Sequence, residues 1–223
     1  MLSCKRSNDD RISKDFELSE ISLVRCMGVY EIAIVSDGQQ KVSIEGSETQ
    51  VHKFKYSYSN KELIIDKNPT SDFFTNGDPL HITIHADSMR EFWCHEPCTI
   101  YTTDTMRGSS FSFYGIADVF DAKFCVKNEN VYLYSSHMSF GHIRIDGITN
   151  VLNIVSHNEQ KVDCGALIST KTYISAKGIG EIITNTTDTL YLSVFRSFKL
   201  VEVGSAVIDT MEYYSPYSLV RGK

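Results

Sequence analysis

The sequence predicts an all-β protein, in which a strand-rich N-terminal section leads into a β-helix-like solenoid of stacked coils with a repeat of about 20 residues. Three observations predict it. Short runs alternate apolar and polar residues, as strands with one buried face do. No window sustains a 3.6-residue apolar period over three turns, so no long amphipathic helix is expected. Six apolar positions of the second half, Phe92, Phe113, Leu133, Ile154, Ile174 and Leu192, recur at spacings of 21, 20, 21, 20 and 18 residues.

Taken in order, residues 1–15 are polar and read as a disordered tail. The start "MLSCKRSNDD" places small or apolar residues before Cys4 and a polar, acidic stretch after it. That pattern suggests the end of a bacterial lipoprotein signal with Cys4 as the acylated anchor; the alternative is a frayed terminus with an incidental cysteine. Residues 16–86 supply "VYEIAIV" (29–35), "KVSIEG" (41–46), "VHKFKYSYS" (51–59), "KELIID" (61–66) and "LHITIHA" (80–86), each read as a strand. "KNPTSDFFTNGDP" (67–79) carries Pro, Asn-Gly and Asp-Pro and reads as an exposed loop.

Residues 87–207 are expected to form the stacked coils and residues 208–223 a C-terminal tail or cap. Each repeat begins with a strand, turns sharply and resumes with a second strand. The second strands carry a further apolar series: Val119, Ile143, Val162 with Cys164, Ile182 and Leu200. No segment supplies the Leu-x-x-Leu-x-Leu-x-x-Asn pattern of a leucine-rich repeat, whereas β-branched and aromatic residues between small-residue corners suit a β-solenoid. One coil buries too little to stand alone, so stability is expected from neighbours stacked about 4.8 Å apart.

Composition bounds the function. Apolar residues make up 42% and charged residues 22% of the 223, as in ordinary globular domains. A formal charge of −6 with no basic cluster argues against a nucleic-acid partner. The longest apolar runs fall short of the roughly 18 residues a transmembrane helix needs. P-loop, dinucleotide, Gly-x-Ser-x-Gly and His-Glu-x-x-His motifs are absent, and no cofactor is expected. "NTT" (185–187) is a glycosylation sequon only in a eukaryotic secretory setting.

"FYGIADV" (113–119) and "SAKGIGEI" (175–182) resemble the Gly-x-Gly/Ala-[Asp/Glu]-[Ile/Val] turns of the head-GIN domain of putative bacterial autotransporter adhesins. "FELSEISLVRCMGVYEIAIVSDGQQKVSIEGSE", "YSNKELIID" and "LHITIHADSMREF" resemble that family's N-terminal strands, and the similarity spans residues 16–207. The resemblance implies a head-GIN-like adhesin domain over 16–207, turns at Gly115, Gly178 and Gly180, and adhesion at the bacterial cell envelope without a catalytic set. At "SSHM", "SHNE" and "FRS" the chain departs from the family's Gly-Ser-Gly corners.

"CHEPC" (94–98) is the stretch most inviting to chemistry. In the repeat register Cys94, His95 and Glu96 align with Gly115, Ile116 and Ala117, and Cys98 aligns with Val119. The pentapeptide then reads as a turn of the first coil whose two thiols face different environments. A disulfide or redox pair and a metal site are the alternatives, the last lacking a second ligand pair. His81 and His85 share one face of a strand. Cys125 and Cys164 read as small buried hydrophobes.

Glycoside hydrolysis needs two carboxylates on one face. Asp118 and Asp121 are candidates, but their expected neighbours in the next coil are Met138 and Gly141, and Asp146 and Asp163 are out of register. His142 and Arg144 of "GHIRI" read as solvent-facing strand residues. The reading is a non-catalytic envelope adhesin or recognition protein presenting a rigid surface to a glycan or protein ligand, with exposed tyrosines such as Tyr101, Tyr134 and Tyr191 as candidates to meet sugars. Its alternatives are a structural β-solenoid polymer subunit, a homo-oligomer growing by end-to-end strand pairing, and a carbohydrate-active β-helix enzyme. The Pro and charges of "DTMEYYSPYSLVRGK" suit a cap against such pairing.

Overall fold

The computed structural model describes residues 11–67, 80–136, 139–157 and 159–222. The expected exposed loop 67–79 lies, apart from Lys67, outside the described residues, as do Cys4, Met138 and Asn158. In chain order the elements are β1 (Arg11–Glu17), β2 (Leu23–Cys26), β3 (Tyr30–Val35), β4 (Lys41–Ser47), α1 (Glu48–Lys53), β5 (Tyr56–Ser59) and β6 (Glu62–Ile65). There follow β7 (His81–His85), β8 (Glu91–Cys94), β9 (Cys98–Thr102), β10 (Met106–Gly115), β11 (Phe120–Ser135) and β12 (His142–Ser156). The chain ends with β13 (Lys161–Ala176), β14 (Glu181–Val194), β15 (Lys199–Glu202), β16 (Val207–Tyr213) and β17 (Ser218–Arg221).

The protein is a nearly all-β solenoid. Phe92, Phe113, Leu133, Ile154, Ile174 and Leu192 sit opposite one another in consecutive parallel strands and form one column through the interior. Each is at most 3% exposed. Burying a side chain of this size contributes roughly 1.5–3 kcal/mol, so the column is a principal source of cohesion. A second column runs Ile32, Ile100, Ala122, Ile143, Val162, Ile182 and Leu200. The long strands β11 to β14 bend to serve both columns and a third, connecting side, where Asn128, Thr149, Ser169 and Thr186 stack inward as a buried polar ladder. The last repeat has spacing 18 because, on that connecting side, β14 is three residues shorter than β13 between Asp163 and Ile168 and one residue longer between Ser169 and Lys171, a net loss of two.

Several expectations are corrected. Val119 does not point inward but is 56% exposed, and Ala122 holds its place in the second column. The alternation of β11 begins at Phe120, so Phe120, Ala122, Phe124 and Val126 face the core. Cys98 accordingly lies opposite Phe120 rather than Val119. The stretch "VHKFKYSYS" is not one strand. Glu48–Lys53 is a helical turn started by Ser47, whose side chain accepts from the Gln50 amide while the Gln50 side chain accepts from the Ser47 amide.

The expected boundaries shift as well. Residues 11–15 belong to β1, which pairs antiparallel with β4, instead of a tail that runs to residue 15. No break falls at 86/87, because β2 and β3 lie directly on β8 and β9 in the two columns. The strands β6 and β7 lie on the other side of β2 and β3, so the stacking order departs from chain order. Beyond them β4, β5 and β1 add antiparallel strands that close this end. At the opposite end β16 and β17, within the expected tail or cap, extend the columns by one more coil in parallel register.

Candidate functional site

Residues adjacent to an inward column in sequence point outward, and those flanking the Phe92–Leu192 column form a continuous outer face. One outward row runs Glu91, Ser112, Tyr132, Asn153, Tyr173, Tyr191 and Asp209; the other runs Arg25, Trp93, Tyr114, Tyr134, Val155, Ser175 and Ser193. From Ser112 to Ser193 no residue of either row is charged. Tyr, Ser, Asn and a single Val fill them.

The rings contact one another along the stack. Trp93 and Tyr114 are parallel at 3.9 Å, and Tyr114 lies 5.7 Å from Tyr132 and 6.1 Å from Tyr134. Tyr173 and Tyr191 stack at 4.6 Å. At the lower end the Arg25 guanidinium sits 4.7 Å over Trp93 and pairs with Glu62 at 2.6 Å. The Trp93 indole N–H donates to Glu91 at 3.1 Å. Partial burial raises the Tyr114 and Tyr132 phenols above their ordinary value, which keeps both neutral in physiological conditions.

The neighbouring outer face, flanking the second column, is built on charge. His81 meets Glu31 at 3.2 Å, His142 meets Asp121 at 3.8 Å, and Lys161 and Lys199 both pair with Glu181. The hydrogen bond from Lys199 holds the Glu181 carboxyl below its usual range. A pocket of about 330 Å³ on this face is lined by Thr99, Ile100, Tyr101, Thr102, Asp121 and Lys123. Tyr101 therefore stands apart from the aromatic rows that hold Tyr134 and Tyr191.

"CHEPC" connects β8 to β9 as a turn, and Cys94 and Cys98 are joined by a disulfide with both residues buried. The expectation that the two thiols face different environments is thereby corrected: the turn brings both side chains back to the interior. His95 lies against Trp93 at 6.0 Å, and burial lowers its pKa. No group of three or more His, Cys, Asp or Glu residues suited to a metal occurs among the described residues. His81 and His85 are taken up separately, His85 by Asp37 at 2.8 Å. Cys164 is fully buried as expected, whereas Cys125 is only partly so.

Among the predicted turns, Gly115 abuts the Phe120 ring, and Gly180 passes so close to the Gln160 backbone that a side chain would collide. Gly178 lies in the same 177–180 turn. Asp121 faces His142, one residue on from the expected Gly141, and no carboxylate stands opposite it. Asp118 is exposed in its turn, and its carbonyl accepts from the Phe140 amide. Arg144 is exposed and pairs with Asp146 at 3.2 Å.

The sequence reading picked out Tyr134 and Tyr191 but missed Trp93, Tyr114, Tyr132 and Tyr173 as parts of one face. The signal was present. Trp93, Tyr114 and Tyr134 each follow a column residue, while Tyr132, Tyr173 and Tyr191 each precede one.

Comparison with known proteins places this arrangement among others. The profile of the family described as "Putative auto-transporter adhesin, head GIN domain" matches residues 22–206. A putative adhesin from Bacteroides fragilis NCTC 9343 superposes with a TM-score of 0.84 at 15% identity, over 96% of this chain and 98% of that one. A putative adhesin from Parabacteroides merdae ATCC 43184 gives 0.64 at 9% identity, over 97% and 98%. A putative lipid binding protein from Parabacteroides distasonis ATCC 8503 gives 0.67 at 11% identity, over 97% and 98%. No curated protein matches the sequence.

Proposed function

The chain belongs to the putative auto-transporter adhesin, head GIN domain family, and from that premise we propose that it is a non-catalytic recognition protein of the bacterial cell envelope, binding a surface ligand through the aromatic face. The observation that carries this reading is the run of ten outward positions from Ser112 to Ser193 without a charge, beside a face laced with ion pairs. Recognition surfaces are depleted in charge and enriched in tyrosine, which offers a large amphipathic contact at little entropic cost. The work is passive: stacked coils hold the side chains in fixed rows, so binding requires little ordering of the protein.

A binding array of glycans and matrix proteins tests the reading with the purified chain. A Tyr132→Ala/Tyr134→Ala variant is expected to lose at least tenfold in affinity for whichever ligand binds, while Lys161→Ala on the charged face retains it. Equal binding by the Tyr variant would remove the aromatic face from the account. For the anchor, expression of the chain behind a bacterial lipoprotein signal should give a membrane-associated protein that a Cys4→Ser variant releases; an unchanged distribution would refute acylation.

A polymer subunit is the second reading, favoured by one observation. The outer edges of β16 and β17 pair with no strand among the described residues, and unpaired edges template further pairing. Light scattering over a concentration series separates the two readings, since only the polymer grows steadily with concentration.

A further inference from the structure

The tyrosines of the aromatic face differ from the structural tyrosines in how they use their hydroxyls. Tyr30 donates to the Asp66 carbonyl at 2.6 Å and Tyr58 to the Glu20 carbonyl at 2.6 Å. Among the described residues, the hydroxyls of Tyr132, Tyr134, Tyr173 and Tyr191 make no hydrogen bond to the protein. Each lies partly or fully exposed on a strip whose other outward groups are mostly Ser and Asn hydroxyl or amide. Four phenols left to solvent in register are unspent donors and acceptors.

We propose that this strip binds a neutral, linear polysaccharide lying along the solenoid axis, an inference that rests on the aromatic face being the working surface. Four features select this ligand. The strip carries hydroxyl and amide groups over ring edges, which suits a polymer that is itself hydroxyl over C–H. Large exposed aliphatic residues lie off the strip at Val119, Ile148, Ile168 and Ile179, so its rings stand among polar groups and not in a contiguous apolar patch of the kind that marks a large protein interface.

Charge selects neutrality. The strip interior has none, Arg25 is already held by Glu62 and Trp93, and Glu91 at one end and Asp209 at the other would repel a polyanion. Geometry selects linearity. The side chains repeat at the coil spacing of about 4.8 Å, close to the length of one sugar residue in an extended chain. A polymer running along the axis therefore meets an equivalent rung at each residue.

The test uses affinity electrophoresis with hydroxyethyl cellulose, a linear xylan and a linear mannan, with polygalacturonate as the acidic control. Calorimetry follows, with oligosaccharides of increasing length from the best binder. At least one neutral polymer should bind while polygalacturonate does not. Affinity should rise with length and level off at about six residues, one for each coil from Trp93 to Tyr191. A Tyr132→Phe/Tyr134→Phe variant keeps the rings and removes two hydroxyls, so it should bind about tenfold more weakly with unchanged thermal stability, at roughly 1 kcal/mol or less per hydrogen bond. Failure of all three neutral polymers, stronger binding of polygalacturonate, or full affinity in the Phe variant would overturn the proposal. If the Ala variant of the same pair loses binding to a protein ligand on the array while no neutral polymer binds, the ligand class is wrong and the face stands. If that variant loses nothing, the face falls with it.

Discussion

Glu202 is the group with most at stake at the residue scale. It is fully buried, yet no cation among the described residues is bonded to it. Its carboxylate accepts from the Thr184 hydroxyl at 2.7 Å, the Thr186 amide at 3.0 Å and the Gly204 amide at 2.6 Å. Glu202→Leu leaves the buried Thr186 amide and the half-buried Gly204 amide unpaired and should lower stability by about 2–6 kcal/mol, at 1–3 kcal/mol for each orphaned group, measured by urea unfolding. Gly147, at φ +122° with the Val126 carbonyl against it, and Gly180, against Gln160, admit no side chain. The thiols divide by environment. Burial pushes Cys26 up to about 12 and Cys164 higher still, so neither forms thiolate near neutrality. Alkylation of the native protein followed by peptide mass spectrometry should modify Cys125 and spare Cys26 and Cys164; rapid labelling of Cys164 would contradict its placement.

At the scale of elements, the columns dominate. Leu133 is 1% exposed and lies between Phe113 and Ile154, so Leu133→Ala should cost about 2–5 kcal/mol, seen as a fall in the urea midpoint. Between strands on the charged face, Lys199 and Glu181 add a smaller, pH-dependent increment. Because the folded Glu181 pKa lies below its ordinary value of 4.5, the contribution is present above that value and is lost as pH falls through the folded pKa. Solvent screening keeps it modest. Lys199→Met should flatten the decline of Tm below pH 4.5; an unchanged acid limb would show that the pair is idle. The column itself was legible in the sequence, because a residue that must be buried in every coil leaves a fixed period. The second column was read three residues early at Val119, since the turn length before it is set by how the Phe120 ring packs against Gly115, and no period reports that. The short helix was overlooked although "SETQ" carries its capping pattern, because six residues are too few to develop a helical period.

For the whole molecule, class and repeat were legible, whereas stacking order was not. Alternation states which side of a strand is buried but never which strand lies beside it, so the insertion of β2 and β3 between β6–β7 and β8–β9 left no mark that a periodicity could reveal. The aromatic face was partly hidden for the same reason: its rows form only once neighbouring coils are in register. This mixed order has a consequence for how the protein can change length. Between β10 and β14 each coil rests on the one made just before it, so duplicating or excising a single 20-residue unit there would lengthen or shorten the rod by one step and leave its ends intact. Near the amino terminus no such unit exists. The coil made first is threaded between two made later, and cutting it out would strand both its neighbours, so growth by gene duplication is open to one half of this rod and closed to the other.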